Sequence, residues 1–144
     1  MKKTIAIGCD HAGYKLKLEL VKELRAMGIE TIDFGCDSEE SIDYPDYAHP
    51  VADYVEENNT LGVLICGSGN GISMSANKHQ GVRSAICWSQ EIAALARQHN
   101  NANILSLPAR FITIDEAKEI IRTFFTTDFE GGRHERRVNK ISCS

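Results

Sequence analysis

A chain of 144 residues, 42% hydrophobic and 25% charged, has the size and balance of one ordinary soluble domain, residues 1–144, around one core. Its net charge is −4, from 16 Lys+Arg against 20 Asp+Glu, so no broad positive field attracts nucleic acid and any bound anion must be held locally. No apolar run nears the ~18 residues of a membrane span. The five cysteines are odd in number, lack a CxxC pair and read as free thiols in a reducing, cytoplasmic setting.

In chain order, Met1–Ile5 enters a strand-like run without a signal-peptide pattern, and Thr4–Gly8 is the first predicted strand, ending at Cys9-Asp10-His11. Leu16, Leu20, Val21, Leu24 and Met27 then recur at helical spacing over Tyr14–Met27, with Gly28 as the stop. Ile29–Phe34 is a second strand closed by Gly35. Ser41–Asp46 reads as loop, and Tyr47–Glu57 as a helix with Pro50 placed in its first turn. Leu61–Cys66 is an uninterrupted apolar strand of the kind covered on both faces. A glycine turn leads to a helix over Ile72–Lys78, a strand over Val82–Trp88 and a helix over Gln90–Gln98. Asn103–Leu107 is the fifth strand and Asp115–Phe125 the next helix, before a basic, helical tail over about residues 131–144. Such alternation predicts a three-layer α/β/α, Rossmann-like fold with about five parallel strands.

In such sheets ligands bind beyond the carboxyl ends of the strands. That rule gathers Cys9-Asp10-His11, Cys66–Gly71, Cys87–Ser89 and Pro108–Arg110. In the run Cys66-Gly67-Ser68-Gly69-Asn70-Gly71, alternate glycines allow positive φ and bring N–H groups close to a ligand, an arrangement that suits negative charge. No Gly-Lys-Ser/Thr ends the turn, and the third glycine falls one residue early for a dinucleotide fingerprint. The alternative is a tight structural turn without a ligand. Cys66, like Cys9 and Cys87, reads as a small buried hydrophobe at a strand end, and only the glycine turn beside it points instead to a thiol armed by neighbouring dipoles. His99, in Arg97-Gln98-His99-Asn100-Asn101, is either a helix-terminal histidine beside a left-handed Asn cap or a catalytic imidazole. Asp10 is placed to orient or charge His11. Arg133 and Arg137, four apart, share a helix face that suits one phosphate. No metal-ligand spacing or nucleotide motif accompanies them.

The runs Gly8–Gly13, Asp43-Tyr44-Pro45, Cys66–Ser73, Ala76-Asn77-Lys78, Arg97–Asn100 and Glu130–His134 together resemble ribose-5-phosphate isomerase type B, along essentially the whole chain. The wider family includes allose-6-phosphate and galactose-6-phosphate isomerases. The resemblance implies an aldose–ketose isomerisation through a cis-enediolate, with no metal and no cofactor. It implies Cys66 as the base that moves the proton, and Ser68 with the N–H groups of Gly67, Gly69, Asn70 and Gly71 as the cradle for the enediolate oxygens. His99 corresponds to the ring-opening acid, assisted by Asp10 and Tyr44, and Asn100 to a substrate-binding position. His11, Arg110, Arg133 and Arg137 correspond to the phosphate grip. Family sites are shared between subunits, which implies a homodimer, or a tetramer made of two such dimers, with no nucleic-acid or membrane partner. Many relatives carry Thr at Ser68, and one branch places a glutamate base at Ile72 and lacks the cysteine; this chain resembles the cysteine branch. A six-carbon sugar phosphate as the main substrate, a non-catalytic sugar-phosphate sensor and a flavodoxin-like or nucleotide-binding module are the alternatives at this point.

Overall fold

The computed structural model describes residues 3–143. In chain order the elements are β1 (Lys3–Cys9), a 3-10 turn (His11–Gly13), α1 (Tyr14–Ala26), β2 (Ile29–Asp33), α2 (Pro45–Asn58), β3 (Gly62–Cys66) and α3 (Asn70–Ala76). There follow β4 (Ser84–Ile86), α4 (Gln90–Gln98), β5 (Ile104–Pro108), α5 (Ile114–Thr126) and α6 (Arg133–Val138). All strand pairs are parallel, in the order β2-β1-β3-β5-β4. The chain turns from β1 outward to β2 and then back across to β3, so the crevice between the carboxyl ends of β1 and β3 is a switch point.

Every residue of β3 and β5 is buried, which is why both read as unbroken apolar runs. Alternate side chains serve two cores. Ile5, Ile7, Val63, Ile65, Leu105 and Leu107 pack with Leu20 and Leu24 of α1 and with Ile121 and Phe124 of α5. Ala6, Leu64, Cys66 and Ile104 pack instead with Val51 and Val55 of α2 and with Ile72 and Ala76 of α3. Two helical layers therefore enclose the sheet, as the alternation of patterns predicts.

Several element boundaries differ from the sequence reading, those of α2, α3, β4 and β5 among them. α2 begins at Pro45, whose lack of an N–H costs nothing in the first turn; Pro50 therefore sits inside the helix, not in its first turn. α3 starts at Asn70, two residues before the predicted Ile72, because Gly69 at φ +79° ends the turn and opens the helix. β4 shrinks to Ser84–Ile86: it lies at the sheet edge, pairs with β5 alone and is half-buried throughout. β5 extends by one residue to Pro108, which lies opposite Cys66. At α5 the capping box of Thr113 and Glu116 fixes the start, each side chain bonding the other's backbone N–H.

Lys17 departs from its residue type. Its side chain is 2% exposed, and Nζ donates to Asp33 Oδ1 at 2.9 Å and to the Cys36 carbonyl at 2.6 Å. Asp33 Oδ1 also accepts the Gly35 N–H at 2.8 Å. This buried charge ties the loop after β2 to α1, and the loop in turn holds the end of β1, where Cys9 N–H bonds the Gly35 carbonyl.

Candidate active site

The carboxyl edge of the sheet gathers one group of the expected residues. At the end of β1, the buried Asp10 directs Oδ1 at the N–H groups of Ala12 (2.9 Å) and Gly13 (3.2 Å), so it caps the 3-10 turn, and among the described residues no hydrogen bond joins it to the His11 ring. The His11 imidazole is oriented from elsewhere: its Nδ1 accepts the Ile42 N–H at 3.3 Å. An accepting Nδ1 leaves the proton of the neutral ring on Nε2, free to donate.

Cys66 ends β3 at 4% exposure, in the same packed cluster as Ile72. Beyond it, only Gly69 among the three turn glycines has positive φ. Gly67 and Gly71 leave room for side chains instead. A Cβ at Gly67 would stand 3.0 Å from Nη1 of Arg110, and one at Gly71 would stand 2.5 Å from Cζ of Tyr44. The turn thus brings a guanidinium and a phenol against its backbone, joining residues from after β5 and from the start of α2. Arg110 is further fixed by its N–H bond to the Gly67 carbonyl at 3.0 Å. Ser68 Oγ accepts from the backbone N and the Nδ2 of Asn70, each at 3.2 Å, which leaves its own proton to donate. Among the described residues, the backbone N–H groups of Ser68, Gly69 and Gly71 take no backbone acceptor. Donors without partners beside a thiol form a place where developing negative charge is stabilised.

The second group lies at the other edge. His99 follows α4, and Asn100 and Asn101 lead into the amino end of β5; Gly62 N–H, at the amino end of β3, bonds the Asn103 carbonyl. Cys66 lies at the carboxyl end of the same five-residue strand, so roughly 13 Å or more separates the two edges. Asn101, with φ 47°, is the left-handed residue after α4. His99 stacks on His134, with ring centroids 4.2 Å apart and planes 10° from parallel. Nε2 of each ring approaches Glu130 Oε1, at 3.8 Å from His99 and 3.6 Å from His134. Burial holds the pKa of His134 below the ordinary range, helped by the charges of His99 and Arg133. Arg133 and Arg137 are exposed on α6 beside this stack, with no salt bridge among the described residues. Glu130 and His134 were not singled out as partners of His99, because contacts across more than thirty residues leave no local signal.

The Ribose/Galactose Isomerase family profile matches residues 5–141. The chain belongs to the ribose/galactose isomerase family. It is 45% identical over 142 residues to ribose-5-phosphate isomerase B of Escherichia coli, covering 98% of this chain and 95% of the relative. A ribose 5-phosphate isomerase structure from Thermotoga maritima superposes with a TM-score of 0.94 at 49% identity, covering 97% of each chain. Ribose-5-phosphate isomerase B from Mycoplasma genitalium, solved with bound ribulose-5-phosphate, gives 0.93 at 45% identity, over 96% of this chain and 93% of that one.

Within this isomerase-family chain the remaining thiols are of a different kind. All five cysteines are free, and burial pushes the thiols of Cys9 and Cys87 up to about 12. Cys9 and Cys36 stand 3.7 Å apart at sulfur, and Cys143 is exposed. The fold also gathers two sets of possible metal ligands, His99–Glu130–His134 and Asp53–Glu56–His79, each with ligand atoms within 4.8 Å of one another. In the first set the rings are parallel, so their in-plane lone pairs run side by side and do not converge on one ion.

Proposed function

We propose that this chain interconverts ribose 5-phosphate and ribulose 5-phosphate, an aldose–ketose isomerisation of the pentose phosphate pathway in the cytoplasm. The observation that carries this reading is the placement of Cys66 beside unpartnered N–H donors and the Ser68 hydroxyl, in a family whose Mycoplasma genitalium member binds ribulose-5-phosphate.

The Cys66 thiolate takes the proton from C2 of the open-chain aldose; the C–H electron pair forms the C1=C2 bond, and the carbonyl electrons move onto O1. The thiol then returns that proton to C1, the O2 proton transfers to O1, and C2=O forms. No electrons are gained or lost overall. The Ser68 hydroxyl and the free N–H groups of Ser68, Gly69 and Gly71 within the Gly67–Gly71 turn hold O1 and O2 while they carry charge, a contribution of several kcal/mol in sites of this type, about 2.7–4 kcal/mol per donor. The position of Ile72 in the Cys66 cluster fits the family pattern in which a base occupies one place or the other.

His99, Asn100, Arg133 and Arg137 act from a second copy. Their edge of the sheet is too far from Cys66 within one chain, so a homodimer with shared sites completes the constellation, and two dimers pair in the tetrameric alternative. In that arrangement His99 of the second copy protonates the ring oxygen of the furanose, while the free oxygen of Asp10 and the Tyr44 hydroxyl lie where the sugar hydroxyls emerge. The Nε2–H of His11 and the Arg110 guanidinium grip the phosphate from one side, Arg133 and Arg137 from the other. Residues 1–144 work as one unit, with α6 as the arm that reaches the neighbour.

Purified protein is expected to equilibrate ribose 5-phosphate and ribulose 5-phosphate with higher kcat/KM than it shows for allose 6-phosphate. Preference for allose 6-phosphate would reassign the substrate to the six-carbon branch, and inactivity on both would overturn the isomerase reading.

A further inference from the structure

Away from Cys66, the amino edge of the sheet holds a second concavity of about 530 Å³, walled by Lys3, Asn58, Arg83, Arg97, Asn101 and Asn103 among others. Three of its lining residues are cationic and none is Asp or Glu, although the chain as a whole carries a net charge of −4. The two guanidinium groups converge on one residue. Arg83 Nε donates to the Asn101 carbonyl at 2.9 Å, and Arg97 Nη1 donates to Asn101 Oδ1 at 3.0 Å. Arg97 is further locked by Nη1 to the Ala102 carbonyl at 2.6 Å, by Nε to the Thr127 carbonyl at 3.3 Å, and by stacking over Phe124.

A guanidinium carries five N–H donors. Among the described residues, Arg83 uses its Nε alone and Arg97 leaves its Nη2 unused. Neither arginine has a salt bridge among the described residues, and Asp128 acts on Arg97 only at longer range. Both are half-buried, so their like charges face each other with reduced screening by water. Asp128 offsets the repulsion at Arg97, but among the described residues no carboxylate bonds either guanidinium, so their spare N–H donors suit an incoming anion. The Asn101 Nδ2 adds a neutral donor without an acceptor among the described residues, whereas Asn58 Nδ2 and Asn103 Nδ2 each already donate to a backbone carbonyl, of Tyr54 and Gly81.

We propose that this cavity is a second anion site, which takes the phosphate group of a small metabolite or inorganic phosphate, apart from the arginines assigned to the substrate. Arg97 lies two positions before His99, so an anion held there also steadies the end of α4 that carries His99 and Asn100. The site stands whether or not the chain isomerises sugars, since none of its lining residues was assigned a part in that chemistry.

The test is amide NMR of the full-length protein during titration with inorganic phosphate and, separately, glycerol 1-phosphate, each at ionic strength matched with sodium chloride. Saturable shifts are expected at the amides of Asn59, Asn101 and Asn103, and the tighter of the two ligands identifies a free phosphate or a phosphate monoester as the natural occupant. Arg83→Gln should weaken the apparent affinity at these amides by about tenfold or more. Asn58→Asp, at an exposed position on the rim, should do the same by placing a carboxylate there, and it decides the matter alone if Arg83→Gln fails to fold. Shifts at Gly131 and Gly132, which precede the substrate arginines, should be unchanged in Asn58→Asp. Absence of saturable shifts at Asn59, Asn101 and Asn103, or shifts that both variants leave intact, would overturn the proposal.

Discussion

Cys9, Cys66 and Cys87 all sit at or just past the carboxyl ends of parallel strands, yet their surroundings give them different chemistry. Burial holds the protons of Cys9 and Cys87 far above neutral pH, whereas Cys66 opens toward a turn with spare N–H donors. The folded-state value for Cys87 lies at about 12 against an ordinary 9.0. The unfolded chain therefore loses this proton as pH rises past 9 while the folded chain keeps it, so the stabilisation is complete below pH 9 and declines above it. The slope reaches about 1.4 kcal/mol per pH unit for one such group. Urea unfolding at pH 8.0 and 10.5 should show a steeper loss of stability in the wild type than in Cys87→Ala; equal losses would refute the assignment. From the sequence, these three thiols differ only in that one precedes a glycine turn. That signal picked out Cys66, but it said nothing of burial, which depends on helices contributed by distant segments.

The turn between β3 and α3 shows how one element serves fold and chemistry together. Gly69 supplies the left-handed residue, while Gly67 and Gly71 make room for Arg110 and Tyr44. The sequence revealed the turn but suggested one reason for all three glycines, where the structure has two. An added Cβ at residue 71 meets the far end of the Tyr44 side chain, which is 40% exposed and can swing into solvent. Gly71→Ala should thus leave stability within about 0.5 kcal/mol of wild type while lowering kcat/KM about tenfold. The same substitution in a Tyr44→Ala background should cost little more, and full additivity of the two losses would show that they act independently. Strand and helix identities were legible wherever apolar periodicity was strong, as in β3, β5 and α5. Boundaries failed where tertiary position decided them: β4 is cut short by its place at the sheet edge, and Pro45, not Pro50, opens α2.

At the scale of the whole molecule, the sheet places Cys66 and His99, the proposed base and ring-opening acid, at opposite edges. Chain order hides this, because His99 follows a helix that runs back to the amino ends of the strands, and no spacing in the sequence reports that direction. The resemblance implies a shared site, and the proposed dimer rests on a topological reason: within one copy Cys66 and His99 lie at opposite ends of the strands. Two inactive variants should then repair each other. Cys66→Ala and His99→Asn should each lose about 10²–10⁴-fold in ribose 5-phosphate turnover as pure homodimers. Mixed by joint refolding, half of the dimers pair one variant with the other, and each such dimer has one intact site, so about a quarter of wild-type activity should return. Recovery near that level, dependent on subunit mixing, is the predicted result; two folded variants that stay inactive together would contradict the account.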